Sequence, residues 1–282
     1  MTSAHDTIND SKGLQQIIEL KDLREDGPGL FYHLTDPQLR SRQEPEKGVL
    51  IAEGPKVIHT ALDAGLTPLS LLIRKSFIDK EIGRNIIARC GGAPVYTAED
   101  GVLEELTGFR LQRSWALCAL RRPPERSPEE VLSKTRRVAV LEGITEPSNL
   151  GAIFRSAAAL GADGLLLSPE CCDPFHRRAV RVCMGSVFTV PWARTGQDHG
   201  FGLLEKNSFY TVGLALRADA LPLDHPALRG KERLALFLGT EDTGLREETI
   251  ARCNATALIP MRPGIDSLNV AAAAAVAFWE LF

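Results

Sequence analysis

Short apolar runs alternate with amphipathic helical stretches along most of this chain, and no other feature constrains its fold so tightly. Strands that alternate with helices are joined by crossovers, so the expected architecture is α/β with a mainly parallel sheet. In the first half GVLIAEG reads as a strand and turn, and Pro55 to Ala64 as a helix with Pro55 in its first turn. LSLLIRK reads as a second strand, Lys80 to Cys90 as a helix closed by Gly91 and Gly92, and APVYTA and WALCAL as further strands. In the second half RRVAVLEGI, GLLLSP, FTVPW, FYTVGLAL, RLALFLG and ATALIP read as strands. Helices are expected from Asn149 to Leu160, around Pro174–Met184, Gly200–Asn207 and Arg246–Arg252, and at the end of the chain to Phe282.

Between the halves lies RRPPERSPEE, whose prolines and dense charge make it the best linker in the sequence. The expected organisation is a mobile polar tail over 1–29, an α/β unit over 30–122, a linker over 123–135 and a second α/β unit over 136–282. With 282 residues, 44% of them apolar and 24% charged, the chain can bury a core without disulfides or metals. It is not disordered, collagen-like or a coiled coil. No apolar run reaches the roughly 18–20 residues that span a bilayer. The polar start MTSAHDTINDSKG lacks the plan of a signal peptide, and Cys90, Cys118, Cys171, Cys172, Cys183 and Cys253 form no CxxC pair or zinc spacing. A cytoplasmic protein with free thiols is expected.

A net charge of −3 argues against coating nucleic acid by bulk electrostatics. Two local basic patches remain: Arg121, Arg122, Arg126, Lys134, Arg136 and Arg137, and then His176, Arg177, Arg178 and Arg181. Each suits either a solvated face or a nucleic-acid contact.

Three strand-to-helix junctions of the second half carry unusual polar residues. ITEPSNLGAIFRSAAALG holds Asn149, a candidate helix cap, Gly151, and Arg155 one turn into an otherwise apolar helix. GTEDTGL holds Gly239, Glu241 and Gly244. It is not GxGxxG, and the chain has no GxxxxGK[ST], so a dinucleotide fold or a P-loop is poorly supported. IPMRPGIDSLNVAAAAAVAFWEL holds Ser267, well placed to cap the last helix, and Asn269 in its first turn.

Asn149-Leu150-Gly151 with Arg155, then Gly239-x-Glu241-x-x-Gly244-Leu245, then Ile259-Pro260-Met261 with Ser267-Leu268-Asn269-Val270, resemble the three signature motifs of the SpoU (TrmH-type) RNA 2′-O-methyltransferases of the SPOUT superfamily. DPFHRRAVRVCMGSVFTVP resembles the segment linking the first two motifs. The resemblance runs from about Arg136 to Phe282. It extends more weakly to the first half, where EGPKVIHTAL and LTGFRLQRSWALCAL resemble the family's L30e/L7Ae-like substrate-binding domain. Two departures stand out: Cys183 where the family often has Ser, and Ala271 where many relatives have Ser.

The resemblance implies a catalytic domain with a parallel sheet and a C-terminal trefoil knot, working as a homodimer. It implies S-adenosylmethionine as cofactor, touched by Gly239, Ile259 and Leu268, and RNA as partner. It implies methyl transfer to a ribose 2′-hydroxyl without a metal, with Arg155, Asn149, Glu241, Ser267 and Asn269 as catalytic residues. Arginine holds its proton strongly, so for Arg155 orientation of the hydroxyl and contact with phosphate are favoured over base action. The L30e-like domain and the absence of a further helix after Phe282 lean toward ribosomal over transfer RNA. The alternatives are a tRNA 2′-O-methyltransferase, a base methyltransferase of the same fold, or a catalytically silent RNA-binding scaffold.

Overall fold

The computed structural model describes residues 17–21, 28–32, 34, 44–109, 115–240, 242–262, 264 and 267–282. They form two units, Met1–Pro123 with Phe175–Gly185, and Pro124–Pro174 with Ser186–Phe282.

The first unit contains β1 (Ile17–Glu19), α1 (Glu44–Glu46), β2 (Val49–Glu53), α2 (Pro55–Asp63), β3 (Pro68–Arg74), α3 (Glu81–Arg89), β4 (Val95–Ala98), α4 (Asp100–Thr107) and β5 (Ala116–Arg121). The sheet order is β1-β4-β3-β5-β2. β1 and β3 run parallel to β4, but β5 runs antiparallel to both β3 and β2, so this sheet is mixed. Phe31, Ile51, Leu72, Leu103 and Leu117 lie in its core. The expected tail over 1–29 is corrected at Ile17–Glu19. These residues pair with Val95–Thr97, and Leu20 behind them is buried. Two β-branched isoleucines beside an open sheet edge are enough for a strand, yet too short a run to stand out in a polar segment.

The chain continues through α5 (Pro128–Leu132), β6 (Arg137–Leu141), α6 (Pro147–Leu160), β7 (Gly164–Leu167), α7 (Arg177–Val182), β8 (Trp192–Arg194), α8 (Phe201–Lys206), β9 (Tyr210–Leu214), β10 (Leu221–Pro222), β11 (Leu234–Leu238), α9 (Glu247–Arg252), β12 (Ala255–Leu258) and α10 (Val270–Leu281). All of these except α7 build the second unit. Its seven strands are parallel throughout, in the order β10-β12-β9-β11-β6-β7-β8. β6 and β11 sit side by side in the middle, and their almost unbroken apolar runs are buried, as strands between two helical layers must be.

The expected linker over 123–135 is corrected in its second half. Ser127 Oγ accepts from Glu130 N at 3.2 Å while the Glu130 carboxylate accepts from Ser127 N at 2.8 Å, a reciprocal cap that starts α5. Val131 and Leu132 then enter the second core beside Val138 and Val140. The strand expected in FTVPW is also displaced. Ser186–Phe188 forms a 3₁₀ turn, and the strand begins only at Trp192, just after Pro191, whose carbonyl accepts from Leu165 N at 2.9 Å.

Although α7 belongs in sequence between β7 and β8, it packs on β2 in the first unit. Arg177 is buried there. Its Nε donates to Glu44 Oε1 at 2.6 Å, and the carbonyl of Leu34 accepts from its Nη1. Arg181 reaches Glu53 at 3.3 Å. Two members of the second basic patch are thus engaged by carboxylates of the first unit.

Candidate functional site

The carboxyl ends of β6 and β11 adjoin where the strand order changes direction, the usual place for a ligand on such a sheet. There the segments after β9, β11 and β12 enclose a cleft of about 330 Å³. Leu238, Leu245, Ile250, Leu258, Ile259 and Leu268 give it apolar walls. The loop after β11 is a closed clip, in which Thr240 and Gly244 exchange backbone hydrogen bonds of 3.1 Å in both directions. This closure explains Gly239. A Cβ there would lie 2.2 Å from the carbonyl carbon of Gly244, so only glycine lets the clip shut. Gly244 completes the turn at φ +69°, in the left-handed region.

A second cleft of about 250 Å³ adjoins the first. It is formed by the loop Gly143–Glu146, by Asn149, and by Thr240, Asp242, Thr243 and Val270, the last four shared with the larger cleft. Asn269 fixes one side. Its Oδ1 accepts from Ala271 N at 3.0 Å and Ala272 N at 3.4 Å, capping α10. That leaves Nδ2 to donate, and it does so to Asn149 Oδ1 at 3.0 Å. The first and third motifs are therefore joined through a single amide whose orientation the helix cap dictates.

Sequence reasoning missed the residue that holds these loops from behind. Glu142 follows β6 and is buried. Its carboxylate accepts from Arg246 N at 2.8 Å, from Thr249 Oγ1 at 2.5 Å and from His199 Nδ1 at 2.9 Å. It thereby ties the end of the Gly239 clip to the central strand. Ser168 and Cys171 do the same for the neighbouring loop. Ser168 Oγ accepts from Gly143 N at 3.0 Å, and Cys171 Sγ accepts from Ile144 N at 3.4 Å. In the sequence Glu142 reads only as the polar end of a strand, and nothing in VLEG announces its burial. Burial pushes the Cys172 and Cys253 thiols up to about 12, and Cys171 upward too, so these three stay protonated rather than acting as thiolate nucleophiles.

The structure gathers most of the expected site residues. Gly239, Ile259, Ser267 and Leu268 line the larger cleft and Asn149 the smaller. Asn269 rather than Ser267 caps α10, with Ser267 two residues before the cap. Both are good capping types, so spacing alone could not choose. α6 likewise begins earlier than expected, at Pro147 with Glu146 as its cap, which places Asn149 inside the first turn. Glu241 lies outside the described residues. Arg155 is exposed on α6 and lines neither cleft of its own chain.

Residues 136–279 match the profile of the SpoU rRNA methylase family. The chain is 36% identical over 274 residues to an uncharacterized tRNA/rRNA methyltransferase of Mycobacterium bovis, covering 96% of this chain and 92% of that one. It is 33% identical over 144 residues to the 23S rRNA (guanosine-2′-O-)-methyltransferase RlmB of Escherichia coli, covering 50% of this chain and 57% of the other. Its structure resembles the AdoMet-bound rRNA methyltransferase of Sinorhizobium meliloti with a TM-score of 0.79 at 26% identity, over 94% of this chain and 97% of that one.

Proposed function

Since the chain belongs to the SpoU rRNA methylase family, we propose that it methylates a ribose 2′-hydroxyl of ribosomal RNA. It is an S-adenosylmethionine-dependent RNA methyltransferase. The observation that supports the ribose reading best is the pair of adjoining clefts with Asn149 and Asn269 bonded beside their shared wall. Methyl transfer in line needs donor and acceptor in neighbouring pockets, held by groups that do not move.

The larger cleft fits the cofactor. Its apolar walls suit an adenine, and its volume lies at the lower end of the range for small-molecule sites. Gly239, Ile259 and Leu268 would hold the base, largely through backbone groups. When bound, S-adenosylmethionine supplies a methyl group already activated by its sulfonium. The residues of this chain then have to orient a weak nucleophile and take up its proton. Asn149 and Ser267, which line the two clefts, would position the ribose, and Asn269 would hold Asn149 through their side-chain hydrogen bond. Glu241 joins this set of residues by its place in the second motif alone.

Arg155 fits this scheme through a second copy of the chain. Asn149 meets Asn269 at the starts of α6 and α10, and a Cβ on Gly161 would lie 4.0 Å from the carbonyl of Phe282 at their ends, so the two helices run parallel, side by side. Their outer surface exposes Arg155, Ala158 and Ala159 on α6, and Ala272, Val276 and Trp279 on α10. Trp279 is 78% exposed and Val276 43%. Small residues around a bare tryptophan suit close helix packing, and a homodimer would cover them. In that homodimer Arg155 acts on the RNA held at the neighbouring active site, gripping phosphate and orienting the hydroxyl. The first unit, as an L30e-like domain, reads the structured RNA target.

Transfer of a tritiated methyl group to RNA, followed by digestion to nucleosides, tests the reading. Label on the ribose is expected; label on a base, or none in RNA, overturns it.

A further inference from the structure

We propose that Arg217, paired with Glu247, recognises the amino-acid tail of the cofactor. The proposal rests on the larger cleft being the cofactor site and adds a residue outside all three motifs. Arg217 lies beyond the end of β9 and lines that cleft. Among the described lining residues it is the single base, facing two acids, Asp242 and Glu247. Its fork is already set. Nε donates to Asp219 Oδ1 at 3.0 Å, and Nη1 donates to Glu247 Oε2 at 2.6 Å and Oε1 at 2.9 Å. Nη2 makes no hydrogen bond among the described residues, so one edge of the guanidinium remains available. The arginine side chain is 35% exposed, whereas those of Asp219 and Glu247 are 73% and 81% exposed.

The ligand chemistry matches this pattern. S-adenosylmethionine ends in an α-carboxylate and an α-ammonium, and apart from its sulfonium the rest is neutral. Apolar side chains, hydroxyls and backbone groups make up the remaining described lining, and none of them can oppose a carboxylate by charge. The open Nη2 of the guanidinium does so with charge-assisted hydrogen bonds. Glu247, exposed and bonded to the same fork, is the complementary acceptor for the ammonium.

Calorimetric titration of the full chain with S-adenosylhomocysteine, which has the tail, and with 5′-methylthioadenosine, which lacks it, tests the assignment. Arg217→Met should weaken S-adenosylhomocysteine about tenfold and change methylthioadenosine by less than about twofold. Asp219→Asn, which loosens the arginine but keeps it, should weaken S-adenosylhomocysteine by less than Arg217→Met does and leave methylthioadenosine unchanged. Equal weakening of both ligands by Arg217→Met would show that Arg217 only braces the cleft and would overturn the proposal. Unchanged affinity for S-adenosylhomocysteine would overturn it as well. If the wild type binds neither ligand, the cofactor cleft itself has been misplaced, a result distinct from either of these.

Discussion

Asn269 serves two partners with one amide, and the two can be separated by substitution. Asn269→Asp keeps the oxygen that caps α10 but loses the N–H that reaches Asn149. Its stability should stay near wild type while methyl transfer falls. Asn269→Ala should lose both, with about 1 kcal/mol of stability gone with the cap. Chemical denaturation and a methyl-transfer assay on the same samples check the pair. Arg155 bears on rate alone. Arg155→Ala should cut turnover about 100-fold or more while leaving cofactor affinity unchanged, and equal turnover at saturating RNA would remove its role. Glu142 bears on stability first. Glu142→Ala strands the Arg246 amide, the Thr249 hydroxyl and the buried His199, at a cost of about 3 kcal/mol in urea unfolding. Cys183→Ser should be tolerated, because the carbonyl of Val180 that accepts from the thiol at 3.2 Å accepts equally well from a hydroxyl.

At the scale of elements, the loops after β7 and β11 are joined by Glu170 and Arg246 at 3.1 Å. The Ser168 hydroxyl above all, then the backbone amide of Glu170 and the Arg246 guanidinium, hold the Glu170 carboxyl down to about 2, against an ordinary 4.5. A depressed acid stabilises the fold above its unfolded value, and that contribution is lost as pH falls through the folded one. The gap in urea midpoint between wild type and Glu170→Gln should therefore be present at about pH 6 and close as pH falls toward about 2. The long elements were legible in the sequence. α3 (Glu81–Arg89) and α10 (Val270–Leu281) fall within a few residues of expectation, because Gly91 marks the end of the first and two capping types, Ser267 and Asn269, bracket the start of the second. Short elements were not legible. β1 rests on an edge supplied by distant residues, and α5 hides in a run whose prolines and charges read as linker. The motifs located the clefts, but a motif carries no direction. That Arg155 faces away from the cleft beside Asn149 follows from helical geometry and burial, not from spacing.

For the whole molecule, the chain divides at Pro123–Pro124, with Phe175–Gly185 returning to the first unit. A fragment meant to carry the catalytic unit should begin at Pro124, since a start at Glu130 would sever the Ser127 cap of α5. Every described residue of both clefts lies within this fragment. It should therefore bind the cofactor with near full affinity by calorimetry while losing most RNA affinity in filter binding. RNA binding equal to that of the full chain would show that the first unit is not the recognition domain. The first unit, in turn, depends on a helix made late. Its own stretch ends at Pro123, but α7, with the arginine that pairs with Glu44, ends about 60 residues later. At synthesis rates of about 5–20 residues per second, a nascent first unit waits about 3–12 s for that helix, with Glu44 still lacking Arg177. Vectorial folding, first domain before second, stays incomplete in this chain. Its amino-terminal unit is the earlier to be made, yet its last helix joins it only when translation is well into the second.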